Sequence, residues 1–236
     1  AMGLFIACTY FASRDLPLRW AIGIAAFRVA IVIGYFAWYY DGTWTFRDDL
    51  EYTKQGYLLL SSDYSPLSIF CPNGIKTLQD LAGGGHFLYI WWAYAWMWLL
   101  GDYYYAPVIG NVLVTFISGH MLSKLLAEAG FERSYRNIVV GFYLLHWDTI
   151  AWPSFLSLKD ALVQLFTISA FLFGVRCLWH KSLTAATQLA IVVLLFQSIR
   201  FYVPALMAAG LGIWLLFESR DPIKILIFMA IGVVAV

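Results

Sequence analysis

The chain has 236 residues, of which 62% are hydrophobic and 12% charged, with a net charge of +1. Soluble domains carry about 25% charged residues, and one of this length has too little interior to hide so much apolar surface, so an ordinary soluble fold is excluded and a bilayer must supply the missing apolar environment. The balanced charge, with no basic patch and no long charge run, also excludes a nucleic-acid partner and a disordered charged tail.

In chain order, the opening Ala1-Met2-Gly3 reads as a cloning scar around an initiator methionine. The first span runs from about Trp20 to Tyr40, preceded by Arg14 and Arg19 and containing Arg28. A polar stretch from Asp41 to about Gly85 follows, with turn signals at Ser65-Pro66 and Pro72-Asn73-Gly74 and a short amphipathic helix over Asp49 to Leu60. His86 to Leu100 is apolar and rich in Trp and Tyr, but a span needs ~20 residues. Aromatic rings settle at headgroup level, so this segment is expected to lie along the membrane surface. Six further spans are expected at Tyr104–Leu126, Asn137–Trp152, Leu158–Trp179, Leu183–Ser198, Tyr202–Phe217 and Ile223–Val236. The ending inside an apolar run suggests a truncated chain or a longer natural protein. Cys8, Cys71 and Cys177 form no C-x-x-C pair, which argues against a zinc or redox motif. The whole reads as one all-α transmembrane domain over residues 1–236, a polytopic bundle of about seven spans, with residues 41–101 as an external loop carrying juxtamembrane helices.

Charge orients these spans. If His86–Leu100 does not cross, the N-terminal side collects ten basic and five acidic residues, and the opposite side five basic and nine acidic ones. Lys and Arg concentrate in cytoplasmic loops, so the acidic side is expected to be external and the protein to sit in a plasma or inner membrane. If the segment did cross, the bias would reverse.

The external side then holds Asp48, Asp49, Glu51 and Tyr52 after the first span, His86 at the start of the surface helix, Asp148 and Lys159-Asp160 around the next external turn, and Arg200 and Tyr202 beyond the fifth span. Charges near hydrocarbon are expensive and usually pair or serve a function. A carboxylate there can act as a general base on a hydroxyl or amine, and Lys or Arg can hold a phosphate and stabilise charge on it as it leaves. That combination suits a lipid phosphate whose tail lies in the bilayer. For a single loop acid a solvated surface role is the commoner explanation, and Asp63, Asp80 and Asp102 are left there. A structural helix cap accounts for Asp160 as well as catalysis does.

At these residues the chain resembles the GT-C superfamily of membrane glycosyltransferases, most closely the protein O-mannosyltransferases and the lipid A aminoarabinose transferases. Asp48-Asp49-Leu50-Glu51-Tyr52 matches the acid pair of the first external loop, with a Tyr three positions on. Gly85-His86-Phe87 stands where the family opens an external helix, here without prolines, and Leu99-Leu100-Gly101 matches its Leu-Phe-Gly turn. Ser154-Phe155-Leu156-Ser157-Leu158-Lys159-Asp160 matches the small-residue turn that ends in Asp. The resemblance covers roughly residues 20 to 180. It implies a GT-C-like fold and transfer of a sugar, with inversion, from a polyprenyl-phosphate donor to a glycan, lipid or protein acceptor at the external face. On that resemblance Asp48 is the base, Asp49 and Asp160 orient the acceptor, and Glu51, Tyr52, His86, Asp148, Lys159, Arg200 and Tyr202 bind substrate. Some family members use a divalent ion and some use none, and Asp48, Asp49 and Asp160 are the candidate ligands for magnesium or manganese. A second expectation, a non-catalytic GT-C-like subunit beside a membrane partner or a lipid-linked-glycan carrier, rests on the short chain and the missing prolines.

Overall fold

The computed structural model of the chain describes residues 1–42, 47–82, 86–200, 202–206 and 209–210. Among them the regular structure is entirely helical. In order these are α1 (Met2–Ser13), α2 (Leu18–Gly34), α3 (Arg47–Leu60), α4 (Pro72–Leu81), α5 (Phe87–Leu100), α6 (Ala106–Glu128), α7 (Arg133–Leu145), α8 (Trp147–Phe155), α9 (Asp160–His180) and α10 (Leu183–Gln197). A π-helical turn, Tyr35–Tyr39, extends α2, and a 3₁₀ turn, Pro66–Phe70, precedes α4.

Sequence chemistry sets the helix ends. Pro17 caps α2 with its φ already fixed, and Pro107 sits in the first turn of α6, where a missing N–H is harmless. The Ser182 hydroxyl accepts from the Ala185 N–H at 3.3 Å and caps α10. Gly101 ends α5 at φ 102, a left-handed conformation that a side chain would strain.

Among the described residues three helices are long and apolar enough to cross a membrane: Leu18–Tyr39, Ala106–Glu128 and Asp160–His180. They coincide with three of the spans expected from sequence and are compatible with an integral membrane protein. The expected span Asn137–Trp152 differs. It breaks at His146, whose backbone is extended (φ −64, ψ 139), into α7 and α8. The Thr149 hydroxyl donates to the Tyr143 and His146 carbonyls at 2.5 and 2.8 Å, so the carbonyls at the break are satisfied without continuous helix. Pro153 lies inside α8 and removes one of its few N–H donors. The expected fifth span is the 15-residue α10. The spans expected at Tyr202–Phe217 and Ile223–Val236 lie, from residue 211 on, outside the described residues. The structure also adds α1, an apolar helix of 12 residues that the sequence reading left without an element. The 14 residues of α5 reach only about 21 Å, short of a hydrocarbon core of ~30 Å.

α6 is the central helix. Of its apolar window 67% is buried, against 33% for α2 and 39% for α9. Its Val112 and Phe116 join a core with α1, α2 and α7, while its Val114 joins a second core built by α3, α4, α5 and α9. Large apolar side chains such as Ile6, Trp20, Phe27, Phe142 and Leu194 remain exposed on the outside, where lipid would cover them. The segment before α4 is stitched to α5: the Trp91 indole donates to the Pro66 carbonyl at 2.8 Å, and the Tyr94 hydroxyl donates to the Tyr64 carbonyl.

Side-chain pairs define two ends of the bundle. At one end Asp15, in the α1–α2 turn, pairs with His120 of α6 at 2.7 Å, and Glu128 at the end of α6 pairs with Arg176 of α9 at 2.7 Å. At the other end the exit of α2, the pair α3 and α5, and the starts of α6 and α9 meet the exit of α10. Among the described residues, the Asp15–His120 and Glu128–Arg176 pairs therefore sit at one end and the Arg200–Asp160 pair and Lys159 at the other.

Candidate functional site

The second end carries the site. On α3, residues three and four apart share one face, and Asp48, Glu51, Tyr52 and Gln55 form such a stripe. With Ala82, His86 and Ile90 they line a cavity of about 170 Å³. Asp48 is exposed at its mouth and has no hydrogen bond or ion pair among the described residues. Glu51 accepts from the Gln55 amide nitrogen at 2.9 Å.

Asp49 points elsewhere, because neighbouring positions on a helix lie about 100° apart. It is fully buried, accepts the Tyr104 hydroxyl, and accepts the Ser157 N–H at 2.8 Å. Burial pushes its carboxyl above the usual range, and those two donors pull it partly back. Asp49 thus ties α3 to the entry of α6 and to the turn before α9.

That turn delivers Lys159, which is only 7% exposed. Its ammonium donates to the Tyr52 hydroxyl at 2.6 Å, stands 3.2 Å from His86 Nε2, and forms no ion pair among the described residues. Burial, then the nearby Arg200, lowers its pKa from the ordinary lysine value. His86 opens α5 in a left-handed conformation (φ 60), and its Nδ1 lies 2.5 Å from the Ile199 carbonyl. A carbonyl can only accept, so Nδ1 carries the proton, and the Lys159 ammonium stands against the imidazole, 3.2 Å from Nε2 and 3.3 Å from Nδ1. Tyr52 accepts from Lys159 and keeps its own proton free to donate. Burial raises the Tyr52 pKa, so the hydroxyl stays neutral.

Every residue of the turn from Leu156 to Lys159 is held. The Asn111 amide donates to the Leu158 carbonyl at 3.0 Å, to the Leu156 carbonyl at 3.5 Å and to the Tyr89 hydroxyl at 3.1 Å. Its Oδ1 accepts from the Trp92 indole at 3.1 Å. Tyr89 in turn lies 3.2 Å from Ser157 Oγ. Beyond the turn, Arg200 donates to Asp160 at 2.9 Å and to the Tyr202 hydroxyl at 3.2 Å.

The structure therefore brings Asp48, Glu51, Tyr52, His86, Lys159, Asp160, Arg200 and Tyr202 to one end of the bundle. Asp49 stands behind this group as a buried tie. Asp148 does not join it: exposed at the start of α8, it lies 3.7 Å from His146. The three carboxylates considered for a metal are turned apart, Asp49 toward Tyr104 and Asp160 toward Arg200. Among the described residues no group of three His, Cys, Asp or Glu side chains is gathered to hold a metal ion.

Asn111, Tyr89, Ser157, Tyr104 and Gln55 were not singled out from sequence. Asn111 carried a signal, being a polar residue inside an apolar run that is expensive to bury in a membrane without partners. Tyr104 carried none, since it is one of three consecutive tyrosines. No protein-family profile, curated protein or solved structure matches the chain.

Proposed function

We propose that the chain is a GT-C-type membrane glycosyltransferase that takes a sugar from a polyprenyl-phosphate donor at the external face. The observation that carries this reading is Lys159, a buried ammonium with no carboxylate pair among the described residues, beside a cavity whose mouth holds the exposed carboxylate of Asp48. A buried cation without a counter-charge is costly, and a lipid phosphate supplies that charge. In this reading Asp48 accepts the acceptor's proton as its oxygen or nitrogen attacks the anomeric carbon. The bond from that carbon to the phosphate oxygen breaks on the opposite side, which gives inversion. The released phosphate keeps the electron pair, and Lys159 and the Tyr52 hydroxyl stabilise its growing charge. Asp160 holds Arg200 near the same phosphate, while Asp49 fixes the helix that presents Asp48.

The test is Asp48→Asn in a transfer assay with a labelled polyprenyl-linked sugar. Loss of a general base lowers turnover by about 10²-fold or more, with donor binding retained. Unchanged turnover removes Asp48 as the base. Donor binding without transfer by the unaltered protein points instead to a carrier or an accessory subunit.

A further inference from the structure

Arg28 has no part in the transferase reading, yet a lone cation at its depth is costly. It lies about 15 Å along α2 from Leu18, near the middle of a hydrocarbon core of ~30 Å. It is fully buried on the stripe that α2 turns inward, with Ala21, Ile24, Ala25 and Val32, rather than reaching toward a membrane surface. Its Nε, Nη1 and Nη2 all lack hydrogen-bond partners among the described residues. The Cys8 thiol of α1 and the Tyr143 hydroxyl of α7 stand within electrostatic reach of it, and both groups are neutral at ordinary pH. The Tyr143 proton is already donated to Gln164 Oε1 at 2.9 Å. Among the described residues the carboxylates that are not exposed are engaged elsewhere: Asp15 with His120, Asp49 with Tyr104 and Ser157, Glu128 with Arg176 and Asp160 with Arg200.

We infer that Arg28 holds a small monovalent anion, chloride in the cell, between α1, α2 and α7. A guanidinium keeps its proton and carries five donors but no acceptor. It therefore needs negative charge as well as hydrogen bonds, and water supplies only the second. Enclosure selects the size of the ion. Cys8, Ala12, Ala25 and Phe116, which belong to the core on this face, are at most 3% exposed. A monatomic ion suits such an enclosure, whereas a phosphate or a lipid carboxylate brings further atoms that need an opening. The Cys8 S–H can donate to the same ion. Held there, the anion ties α1, a helix of only 12 residues, to α2 and α7.

The test measures binding of radiolabelled chloride to the purified full chain in phosphatidylcholine nanodiscs, with chloride replacing the bulky anion gluconate at constant ionic strength. Saturable binding of one ion per chain is expected. Above the dissociation constant, each tenfold rise in chloride should shift the folding equilibrium about tenfold toward the native state, read as a rising melting temperature. Arg28→Met, similar in length and uncharged, should lose the binding and the chloride dependence, while melting in gluconate no lower than the unaltered protein. Lys159→Met should keep both, which separates this ion from the phosphate assigned to Lys159. Melting that ignores chloride, without saturable binding, overturns the anion, as does binding that survives in Arg28→Met or vanishes in Lys159→Met. Where Arg28→Met fails to fold, Arg28→Lys decides: weakened chloride binding supports the site, and unchanged affinity overturns it. Glu218 and Asp221 lie outside the described residues. Melting that ignores chloride but falls in Glu218→Gln or Asp221→Asn assigns the counter-charge to the chain itself and also overturns the anion.

Discussion

Lys159 illustrates how a single residue trades stability for a site. Its folded environment disfavours the charged form, so the native state binds its proton less readily than the unfolded chain does. Stability withheld at neutral pH is therefore recovered as pH rises toward the ordinary lysine range. Lys159→Met keeps the side-chain length and removes the charge. We expect a melting temperature at least equal to that of the unaltered protein, together with loss of inorganic phosphate binding; calorimetry and a binding titration check the two halves. A lower melting temperature with binding intact would make Lys159 a structural strut. Asp48 and Asp49 show what sequence leaves open at this scale. As an adjacent pair both are expected to act on the acceptor, Asp48 as base and Asp49 in orienting it, yet one faces the cavity and the other accepts Tyr104 and Ser157 in the interior. The 100° between neighbours decides the difference, and it acts only once the packing of α3 is known.

At the scale of elements, the placement of α5 on α6 sets the position of His86 and the cavity. Trp96 of α5 lies directly against Gly110 of α6, so that a Cβ there would run into the indole ring. The contact brings the Trp92 indole onto Asn111, the residue that straps the Lys159 turn. Gly110→Ala is expected to destabilise the protein by about 1–3 kcal/mol through overpacking, read as a fall in melting temperature. Gly110→Ala combined with Trp96→Ala should recover part of it, because the colliding ring is gone; no recovery would place the strain elsewhere. Helix identity was largely legible here. The apolar runs behind α2, α6 and α9 are long enough to read directly, and α3 begins at Arg47, two residues before its expected start. The break at His146 was not legible, because hydropathy averages over a segment and registers neither one extended residue nor the hydroxyl of Thr149 that satisfies the carbonyls at the break.

At the scale of the whole molecule, Asp15–His120 and Glu128–Arg176 mark one end of the bundle and Asp48, Lys159 and Arg200 the other, and the proposed orientation puts the second end outside. With cysteines introduced singly as Asp48→Cys and Arg133→Cys, both at exposed positions, a membrane-impermeant thiol reagent applied to intact cells should label residue 48 and reach residue 133 only after permeabilisation. The reverse pattern would invert the topology and remove the external site.

The sequence by itself determined that the chain is helical and that it holds apolar runs long enough to cross a membrane. Those properties follow from composition and from local periodicity, which need no knowledge of packing. Tertiary structure alone decided that α6 lies at the centre, that Asp49 is a buried tie and Asp48 an exposed carboxylate, that Asp148 stands apart, and that Asn111 holds the turn carrying Lys159. Each of these depends on which face of a helix meets which neighbour, a relation between residues up to 108 positions apart that no local pattern encodes.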